Sequence, residues 1–430
     1  MNGLNAGPGQ TDGRNPMTPH YSDDTAVLYH GDALHMLRSD THGYPHVLGY
    51  HLPLIPDASV DAVVTDPPYG LEFMGKSWDG VEGFGQSLGE TLALPGEQLS
   101  RMHAFQQWCQ AWAVECLRVL KPGGYLLAFG GTRTAHRLTS GIEDAGFEIR
   151  EGIDWLYGSG FPKSLNVGGG RGTALKPARE PVVMARKPFH TTVAANVAAF
   201  GTGALNIDAC RVGDEVRVNQ AGGASSLQRV SRVEQGYRAN VTASVGEAST
   251  VTGRWPANVV LSHDPDCGSG CEPGCPVVEL DRQSGFGVSR QGAPRQGRNG
   301  DGWGMTATGA EYDDAGGASR FFPVFRYQAK APASERPKVN GVAHPTVKPL
   351  DLMRWLVRLV CPPGGTVLDL FAGSGPVAEA CTIEGFRSIS IEREADYLPL
   401  VVSRLSKPLQ QALWMPTDGS IGDDEFGVAA

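Results

Sequence analysis

Several features that would assign this chain to a simple class are absent. The sequence has no run of about 18 apolar residues, which a membrane-spanning helix requires. Residues 1–20 have neither the basic start nor the apolar stretch of a secretory signal. Eight cysteines in 430 residues are too few for a disulfide framework. These absences predict a soluble, cytoplasmic protein.

An excess of positive charge is also missing. The formal net charge is −9, whereas a small nucleic-acid-binding module is usually basic. The middle of the chain is different, with 12 Lys and Arg against 6 Asp and Glu from Lys163 to Arg254, and 9 against 6 from Asp281 to Lys338. This asymmetry predicts a surface for a polyanion on the middle of the chain.

Regular sequence patterns flank an irregular middle. Strand-like apolar runs alternate with helical spacing over residues 26–188 and 350–391, which predicts a largely parallel, doubly wound α/β sheet. Between them Gly, Ser, Arg and Gln dominate, so an insertion of low regularity is expected. The predicted divisions are a disordered tail (1–20), the first half of the sheet domain (21–188), the insertion (189–336), the second half (337–407) and a flexible acidic tail (408–430).

Residues 367–375 read Val-Leu-Asp-Leu-Phe-Ala-Gly-Ser-Gly, an apolar strand that runs into a glycine turn. Glu392 ends the next strand, where a carboxylate can accept hydrogen bonds from both ribose hydroxyls of a nucleoside. Asp369, before the turn, would repel a pyrophosphate but would attract a cation, so S-adenosylmethionine fits better than a dinucleotide. The alternative is a glycine turn in some other α/β enzyme, such as a nucleotide-dependent oxidoreductase.

Residues 65–70 read Thr-Asp-Pro-Pro-Tyr-Gly and follow a second apolar strand. The prolines hold the backbone extended. The Asp66 carboxylate and the Pro67 carbonyl can then accept both hydrogens of one amino group, while Tyr69 offers a ring for stacking. When both hydrogens are held out of the plane of the base that carries the amino group, lone-pair density returns to the nitrogen and points at a methyl donor. A Pro-Pro turn that only ends a strand is the alternative.

Together these segments resemble the amino-group DNA methyltransferases of the beta class, in which the catalytic half precedes the cofactor half. Residues 344–349, His-Pro-Thr-Val-Lys-Pro, and the pair Gly31-Asp32 are also similar to segments of that family. The resemblance covers roughly residues 26–188 and 343–405. It implies a Rossmann-like S-adenosylmethionine-dependent methyltransferase sheet with an irregular target-recognition insertion.

The resemblance implies a role for each matching residue. The implied catalytic residues are Asp66, Pro67, Pro68 and Tyr69. The implied cofactor-binding residues are Asp32, Thr346, Lys348, Asp369, Phe371, Gly373, Gly375 and Glu392. Thr346 and Lys348 would approach the cofactor's carboxylate, and Asp32 would accept from its adenine. A solvated surface position for Lys348 and a helix N-cap role for Asp32 are the alternatives.

The implied activity is methyl transfer to the exocyclic amino nitrogen of a base flipped out of duplex DNA. Adenine N6 is preferred because Asp, rather than Ser, begins the four-residue motif. N4-cytosine methylation, methylation of RNA or of a protein amide, and a non-catalytic DNA-binding protein of the same fold are alternatives. A cytosine-C5 enzyme would need a Pro-Cys nucleophile, and the sequence contains no such pair.

The basic middle of the chain would hold the distorted duplex. Its candidates for phosphate or base-edge contacts are Arg254, Trp255, Arg290, Arg295, Arg298, Arg320 and Arg326. A solvated loop surface is the alternative for each arginine. A monomer and a homodimer both agree with the sequence, and no segment resembles a restriction endonuclease.

His263, Cys267, Cys271 and Cys275 recur at intervals of four residues. Three thiolates and one imidazole can form a closed, structural Zn²⁺ site, which would stabilise a glycine-rich segment that lacks a core. Paired zinc-binding cysteines are more often separated by two residues, so a loop without metal is the alternative.

Overall fold

The computed structural model describes residues 18–38, 54–72, 79–88, 98–158, 160, 164–219, 230–233, 236–239, 249–264, 266–267, 270–289, 314–325 and 337–407. Most of the predicted N-terminal tail and the whole acidic tail lie outside these residues, as do Arg290, Arg295, Arg298 and Arg326. Among the described helices, none is both long enough and apolar enough to cross a membrane.

The strands and helices follow the predicted alternation. In the first part of the chain the strands are β1 (Tyr21–Ser22), β2 (Ala26–His30), β3 (Val60–Thr65), β4 (Leu120–Phe129), β5 (Glu148–Leu156) and β6 (Arg179–Arg186). The middle part contains β7 (Val212–Asn219), β8 (Val230–Val233), β9 (Gly236–Ala239), β10 (Ser249–Arg254), β11 (Val259–Ser262), β12 (Gly287–Val288), β13 (Ala315–Gly316), β14 (Val324–Phe325), β15 (Lys338–Val339) and β16 (Val342–Ala343). The last strands are β17 (Thr366–Asp369) and β18 (Arg387–Glu392). The helices are α1 (Ala33–Leu37), α2 (Val81–Leu88), α3 (Gln98–Val119), α4 (Ala135–Asp144), α5 (Val193–Phe200), α6 (Pro276–Ser284), α7 (Leu350–Val360), α8 (Pro376–Glu384) and α9 (Leu398–Leu405).

One ten-stranded sheet organises the molecule, in the order β1-β2-β18-β17-β3-β4-β6-β5-β11-β14. Strands β2, β18, β17, β3 and β4 are parallel to their neighbours in this series. Strand β6 is antiparallel to both β4 and β5. The predicted doubly wound, mainly parallel α/β sheet is confirmed.

Both faces of the central strands are covered, because successive side chains of a strand point to opposite faces. On β3, Val63 packs with α1, α3 and α4 in one core, whereas Ala62 and Val64 pack with α7 and α8 in the other. This double burial explains why β3 is apolar along nearly its whole length. Asp61 is the one charged residue of this strand, and its carboxylate accepts hydrogen bonds from Lys121 Nζ at 2.7 Å and from the N–H of Thr366 at 2.8 Å.

Two details of the sheet are not evident from the sequence. Residues 121–124, Lys-Pro-Gly-Gly, are typical of turns, yet they lie in the first part of β4, where an irregular register against β3 accommodates them. Two short strands from the irregular middle, β11 and β14, join the central sheet beyond β5. A strand of two to four residues carries too little pattern to indicate its partner.

Candidate active site

The Asp-Pro-Pro-Tyr loop (66–69) and the glycine loop (370–375) are neighbours in the structure. The first follows β3, the second follows β17, and these two strands are paired in parallel. The Thr65 hydroxyl, at the end of β3, donates a hydrogen bond of 2.8 Å to Asp369 Oδ1, at the end of β17. The two motifs therefore meet at the carboxyl edge of the sheet, where α/β proteins bind their ligands.

A cavity of about 500 Å³ opens between the two loops. It is lined by all but one of the residues that the sequence predicts for the base and the cofactor, namely Asp32, Asp66, Pro67, Pro68, Tyr69, Thr346, Lys348, Asp369, Phe371, Gly373 and Glu392. Gly375 is the exception. Its φ of 79° favours glycine, and a Cβ atom there would lie 2.8 Å from Val401, so Gly375 shapes the turn rather than the cavity wall.

Four side chains form one ionic network at the catalytic-loop end of the cavity. Lys348 Nζ lies 2.6 Å from Asp66 Oδ2 and 2.8 Å from Glu180 Oε1, and it donates to the Tyr69 hydroxyl at 3.1 Å. The Tyr69 hydroxyl lies 2.9 Å from Asp66 Oδ1 and also within hydrogen-bond distance of Glu180. Its single proton is donated to one of these two carboxylates. One ammonium is thus shared by two carboxylates.

Lys348 is buried beside the catalytic loop. Its ammonium group pairs with the catalytic loop, and the side chain is buried, so the alternative of a solvated surface lysine is wrong. Glu180 was missed by the sequence analysis. It lies on β6, 111 residues after Tyr69, and no local spacing connects the two.

Burial and the two neighbouring carboxylates set the protonation states of Tyr69 and Lys348. It raises the pKa of the Tyr69 phenol well above its ordinary value, and the charges of Asp66 and Glu180 raise it further. Burial by itself would lower the pKa of Lys348, but Asp66 and Glu180 outweigh it, and the pKa rises above its ordinary value. At neutral pH Tyr69 is therefore a neutral hydroxyl and Lys348 a cation.

Asp79 holds the turn that directly follows the catalytic loop. Its carboxylate accepts hydrogen bonds from the N–H groups of Gly70, at 2.7 Å, and Leu71, at 3.2 Å. Gly70 has a φ of 69°, and a carboxylate that holds this turn fixes where the preceding residues point. Sequence reasoning missed Asp79, because its partners are backbone amides eight and nine residues away.

Two buried carboxyl groups lie at the glycine-loop end. Glu392 accepts from the N–H groups of Gly373, at 2.6 Å, and Glu394, at 2.7 Å. Asp369 accepts from Thr65 and from the N–H of Phe371, at 3.2 Å. Burial raises the pKa of each carboxyl group to about 7, although these hydrogen bonds oppose the rise. Both groups therefore titrate near neutral pH.

Asp32 lies at the same end and begins α1. Its Oδ1 accepts from the N–H groups of Leu34, at 3.1 Å, and His35, at 3.3 Å, and from the Ser87 hydroxyl, at 2.9 Å. The predicted alternative, a helix N-cap, is therefore correct. Asp32 also lines the cavity, so the cap does not remove it from reach of a ligand.

Aromatic rings line both ends of the cavity. At the glycine-loop end, the Phe371 ring lies 5.5 Å from Trp108, which stacks on Phe84 at 4.7 Å. At the catalytic-loop end, Trp155 lies opposite Glu180 in the sheet, and its ring is 5.2 Å from that of Tyr157. Each end therefore offers flat apolar surfaces to a planar heterocycle. Of these rings the sequence predicted only Phe371 as a binding residue.

His344 supports the glycine loop. Its ring packs edge-on against Tyr397 at 4.5 Å, and a Cβ atom on Gly373 would lie 3.1 Å from His344 Nε2. Burial lowers the pKa of His344, so the ring is neutral at pH 7. His344 Nδ1 donates to the carbonyl oxygen of Thr346, two residues later. The close approach explains why a glycine occupies position 373.

The four candidate metal ligands lie together outside this cavity. The imidazole nitrogen and the three sulfur atoms of His263, Cys267, Cys271 and Cys275 all lie within 4.8 Å of one another. His263 Nδ1 is 3.3 Å from Cys271 Sγ and 3.5 Å from Cys275 Sγ. The sequence pattern thus corresponds to a spatial cluster.

Two of the arginines proposed for DNA contact have partners inside the protein. Arg254 forms an ion pair with the buried Asp314, and Arg320 Nε lies 3.1 Å from the same carboxylate. Both guanidinium groups also cover the ring of Phe321. Trp255 is 65% exposed and lies 5.7 Å from the Arg211 guanidinium, so it remains accessible.

The sheet order and the cavity at its carboxyl edge define the Rossmann-like methyltransferase fold. Residues 60–403 match the N6/N4 methyltransferase family, described as DNA methylase. The chain belongs to this family.

Individual relatives match shorter segments. The type II methyltransferase M.HindIII of Haemophilus influenzae is 26% identical over 184 residues, which cover 34% of this chain and 59% of the relative. M.BamHI of Bacillus amyloliquefaciens is 28% identical over 111 residues, or 26% of this chain and 19% of the relative. The chain therefore matches less than two thirds of the length of these relatives. Among solved structures, the PvuII DNA methyltransferase, described as cytosine-N4-specific, has a TM-score of 0.45 at 16% identity, with 90% of this chain and 89% of that chain covered.

Proposed function

We propose that the protein transfers a methyl group from S-adenosylmethionine to the exocyclic amino nitrogen of a flipped base in duplex DNA, with adenine N6 as the preferred target. The observation that carries the proposal is the contact of the two motifs. The Asp66 loop and the loop after Asp369 border one cavity and are joined by the Thr65–Asp369 hydrogen bond. Direct transfer requires this proximity, because donor and acceptor must be in contact.

The glycine-loop end fits the cofactor. Glu392 and Asp369 supply two carboxyl groups for ribose hydroxyls and for cationic groups, and Phe371 and Trp108 supply flat surfaces for adenine. Thr346 and Lys348 border the same cavity, but Lys348 is paired with Asp66 and Glu180. S-adenosylmethionine supplies an electrophilic methyl group when it is bound there.

The catalytic-loop end fits the target amino group. The two oxygens of Asp66 offer about four lone-pair positions. The Tyr69 hydroxyl lies at one position on Oδ1, and the Lys348 ammonium lies at one position on Oδ2. A free position therefore remains for one amino hydrogen, and the Pro67 carbonyl accepts the other. Tyr69, Trp155 and Tyr157 provide rings on which the extruded base stacks. Lys348 and Glu180 act as positioning residues that hold the Asp66 carboxylate in one orientation.

The insertion over residues 189–336 recognises the DNA target in this proposal, while residues 21–188 and 337–407 form the catalytic and cofactor halves. The exposed Trp255 and the local excess of Lys and Arg from Asp281 to Lys338, 9 against 6 Asp and Glu, support contact with a duplex. Arg254 and Arg320 stabilise this insertion, because both form ion pairs with the buried Asp314.

The proposal is tested by incubating the protein with labelled S-adenosylmethionine and duplex DNA, single-stranded DNA or RNA. The DNA is then digested to nucleosides and separated by chromatography with mass detection. N6-methyladenine in the duplex sample is expected. N4-methylcytosine would correct the target base and keep the rest of the proposal. Labelled RNA without labelled duplex would overturn the choice of substrate.

We also propose that His263, Cys267, Cys271 and Cys275 hold a structural Zn²⁺ ion. In a tetrahedral site with Zn–S bonds of about 2.3 Å and Zn–N bonds of about 2.0 Å, nitrogen and sulfur lie roughly 3.5 Å apart. The observed separations are 3.3 and 3.5 Å. The N–H groups of Asp264 and Glu272 also donate to Cys275 Sγ and Cys267 Sγ, which fixes the orientation of both sulfur atoms. Metal analysis of protein purified under reducing conditions should find one zinc per chain.

A further inference from the structure

The metal cluster spans the junction between the central sheet and α6. His263 directly follows β11, and Cys275 directly precedes Pro276, the first residue of α6. A metal ion held by both residues would tie the end of β11 to the start of α6. The two elements are otherwise joined by a small apolar cluster whose buried members are Leu261, Cys275 and Val277.

This junction contacts the base-stacking rings through a buried hydrogen bond. Trp155 Nε1 donates to Ser262 Oγ at 2.8 Å. Ser262 is the last residue of β11 and precedes the ligand His263. Strand β11 pairs with β5 through only three residue pairs, Val259–Asp154, Val260–Trp155 and Leu261–Leu156. A displacement of β11 would therefore move Trp155 directly.

A second contact lies on the other side of the cluster. Gly158 follows Tyr157, and a Cβ atom at Gly158 would lie 2.5 Å from Pro276 Cγ and 2.8 Å from Pro276 Cδ. The backbone just after Tyr157 thus packs directly on the residue that follows the ligand Cys275. Ser262 and Pro276 are each the chain neighbour of a ligand, and each touches the segment that carries Trp155 and Tyr157.

We propose that the metal ion is a support of the target-base pocket, which holds Trp155 and Tyr157 in place for the flipped base while leaving the cofactor end independent. The inference rests on the proposed methyltransferase function and on the proposed Zn²⁺ site. The independence follows from the fold, because Asp369, Phe371 and Glu392 belong to β17, β18 and the loop between them, and β3, β4, β6 and β5 separate these strands from β11.

The test compares Cys271→Ser with Glu272→Gln in the full-length protein. Cys271 is exposed, so its replacement removes a ligand without opening a core, and Glu272 is the adjacent exposed residue that is not a ligand. Three quantities are measured: zinc per chain, the Kd for S-adenosylmethionine, and the KM for duplex DNA. Duplexes that carry 2-aminopurine at the target base, identified by sequencing methylated DNA, report base extrusion by fluorescence.

Cys271→Ser should lose zinc, raise the KM for DNA at least tenfold and reduce the 2-aminopurine signal, while the Kd for the cofactor changes less than twofold. Glu272→Gln should behave as the unaltered protein. A zinc-free Cys271→Ser protein with an unchanged KM and signal would overturn the inference, and so would an equal loss of cofactor affinity. Absence of zinc from the unaltered protein would overturn the metal site as well, whereas zinc without any methyl transfer would count against the proposed function alone.

Two further variants break the contacts but keep the ligands. Ser262→Ala removes the acceptor for Trp155, and Gly158→Ala forces the backbone away from Pro276. Both should retain one zinc per chain, and both should raise the KM for DNA. Retention of zinc with an unchanged KM in both variants would separate the metal from the pocket and overturn the inference.

Discussion

The two ends of the cavity handle charge in opposite ways. At the catalytic-loop end, Lys348 forms ion pairs with both Asp66 and Glu180, and the Tyr69 hydroxyl completes the network. At the glycine-loop end, Asp369 and Glu392 accept hydrogen bonds from neutral groups only, and among the described residues no Lys or Arg forms an ion pair with either. At one end a buried lysine pairs with both carboxylates, whereas at the other the two buried acids have no cationic partner within the described part of the chain, because Arg393, which also lines the cavity, lies 3.8 Å from Asp32 instead.

The difference matches what each end is proposed to bind. A neutral base needs acceptors with a fixed direction, which an internally paired carboxylate provides. A cationic cofactor needs negative charge that no protein cation already neutralises. The chain therefore carries a rigid acceptor at one end and an unbalanced pair of acids at the other, and substitutions at each end should have different consequences.

Removal of the fixed acceptor should have the largest effect. Asp66→Ala is expected to lower the rate of methyl transfer by about 10²- to 10³-fold, because one preorganised polar group contributes on this scale. Cofactor affinity should change little, since Asp66 lies at the other end. Label transfer from S-adenosylmethionine to duplex DNA measures the rate, with Asp24→Ala, an exposed position in the turn between β1 and β2, as control. Transfer by Asp66→Ala at more than a tenth of the normal rate would remove Asp66 from the mechanism.

Loss of the built-in cation should destabilise the protein. Lys348→Met leaves Asp66 and Glu180 without their shared partner, and breaking a buried ion pair costs about 3–5 kcal/mol. Urea denaturation measures the free energy of unfolding. Adding Glu180→Gln should recover part of the loss, because it removes one of the two unpaired carboxylates. If the double variant is less stable than Lys348→Met alone, Lys348 does not compensate the charge of Glu180.

The unbalanced acids should make cofactor binding depend on pH. Burial raises the pKa of Asp369 and Glu392 to about 7, and a cationic ligand favours their ionised forms. Affinity for S-adenosylmethionine should therefore be full above pH 7 and fall as the pH drops through 7, by up to about tenfold per pH unit for each carboxyl group. Calorimetry in buffers of different ionisation enthalpy should detect proton release near pH 7, and less release for Glu392→Gln. Equal release by both proteins would exclude Glu392 as the titrating group.

The same pKa values predict an opposite trend for the cofactor-free protein. A carboxyl group whose pKa is raised in the folded state binds its proton at a higher pH in the folded protein than in the unfolded chain. Protonation therefore favours the folded state. Its contribution to the free energy of unfolding is complete below the ordinary pKa of a carboxyl group and is lost as the pH rises through about 7. Between pH 5 and 7 the Glu392→Gln variant should show a weaker pH dependence of stability than the unaltered protein. An identical pH dependence in the two proteins would contradict the prediction.

The sequence predicted the residues of the two loops but not all of the side chains that pair with them. The loops themselves are local, so a strand, a turn and an acid at fixed spacing reveal Asp66, Asp369 and Glu392. The partners that set the charge balance are not local. Glu180 meets Lys348 only because β6 runs antiparallel beside β4, and Asp79 reaches the catalytic loop through backbone amides. Trp155 depends on the neighbour β11, whose four residues carry no signal for β5.

The smallest expected effect separates the two roles of Asp32. As the N-cap of α1 it accepts from two backbone N–H groups, and replacement by Ala should cost about 1 kcal/mol of unfolding free energy. Asn caps a helix almost as well as Asp, so Asp32→Asn should keep the stability while it removes the negative charge from the cofactor end. If Asp32 also accepts from the adenine amino group, Asp32→Asn lowers cofactor affinity without lowering the melting temperature. If Asp32 only caps the helix, Asp32→Asn leaves both quantities unchanged, and the cofactor end then depends on Asp369 and Glu392 for its charge.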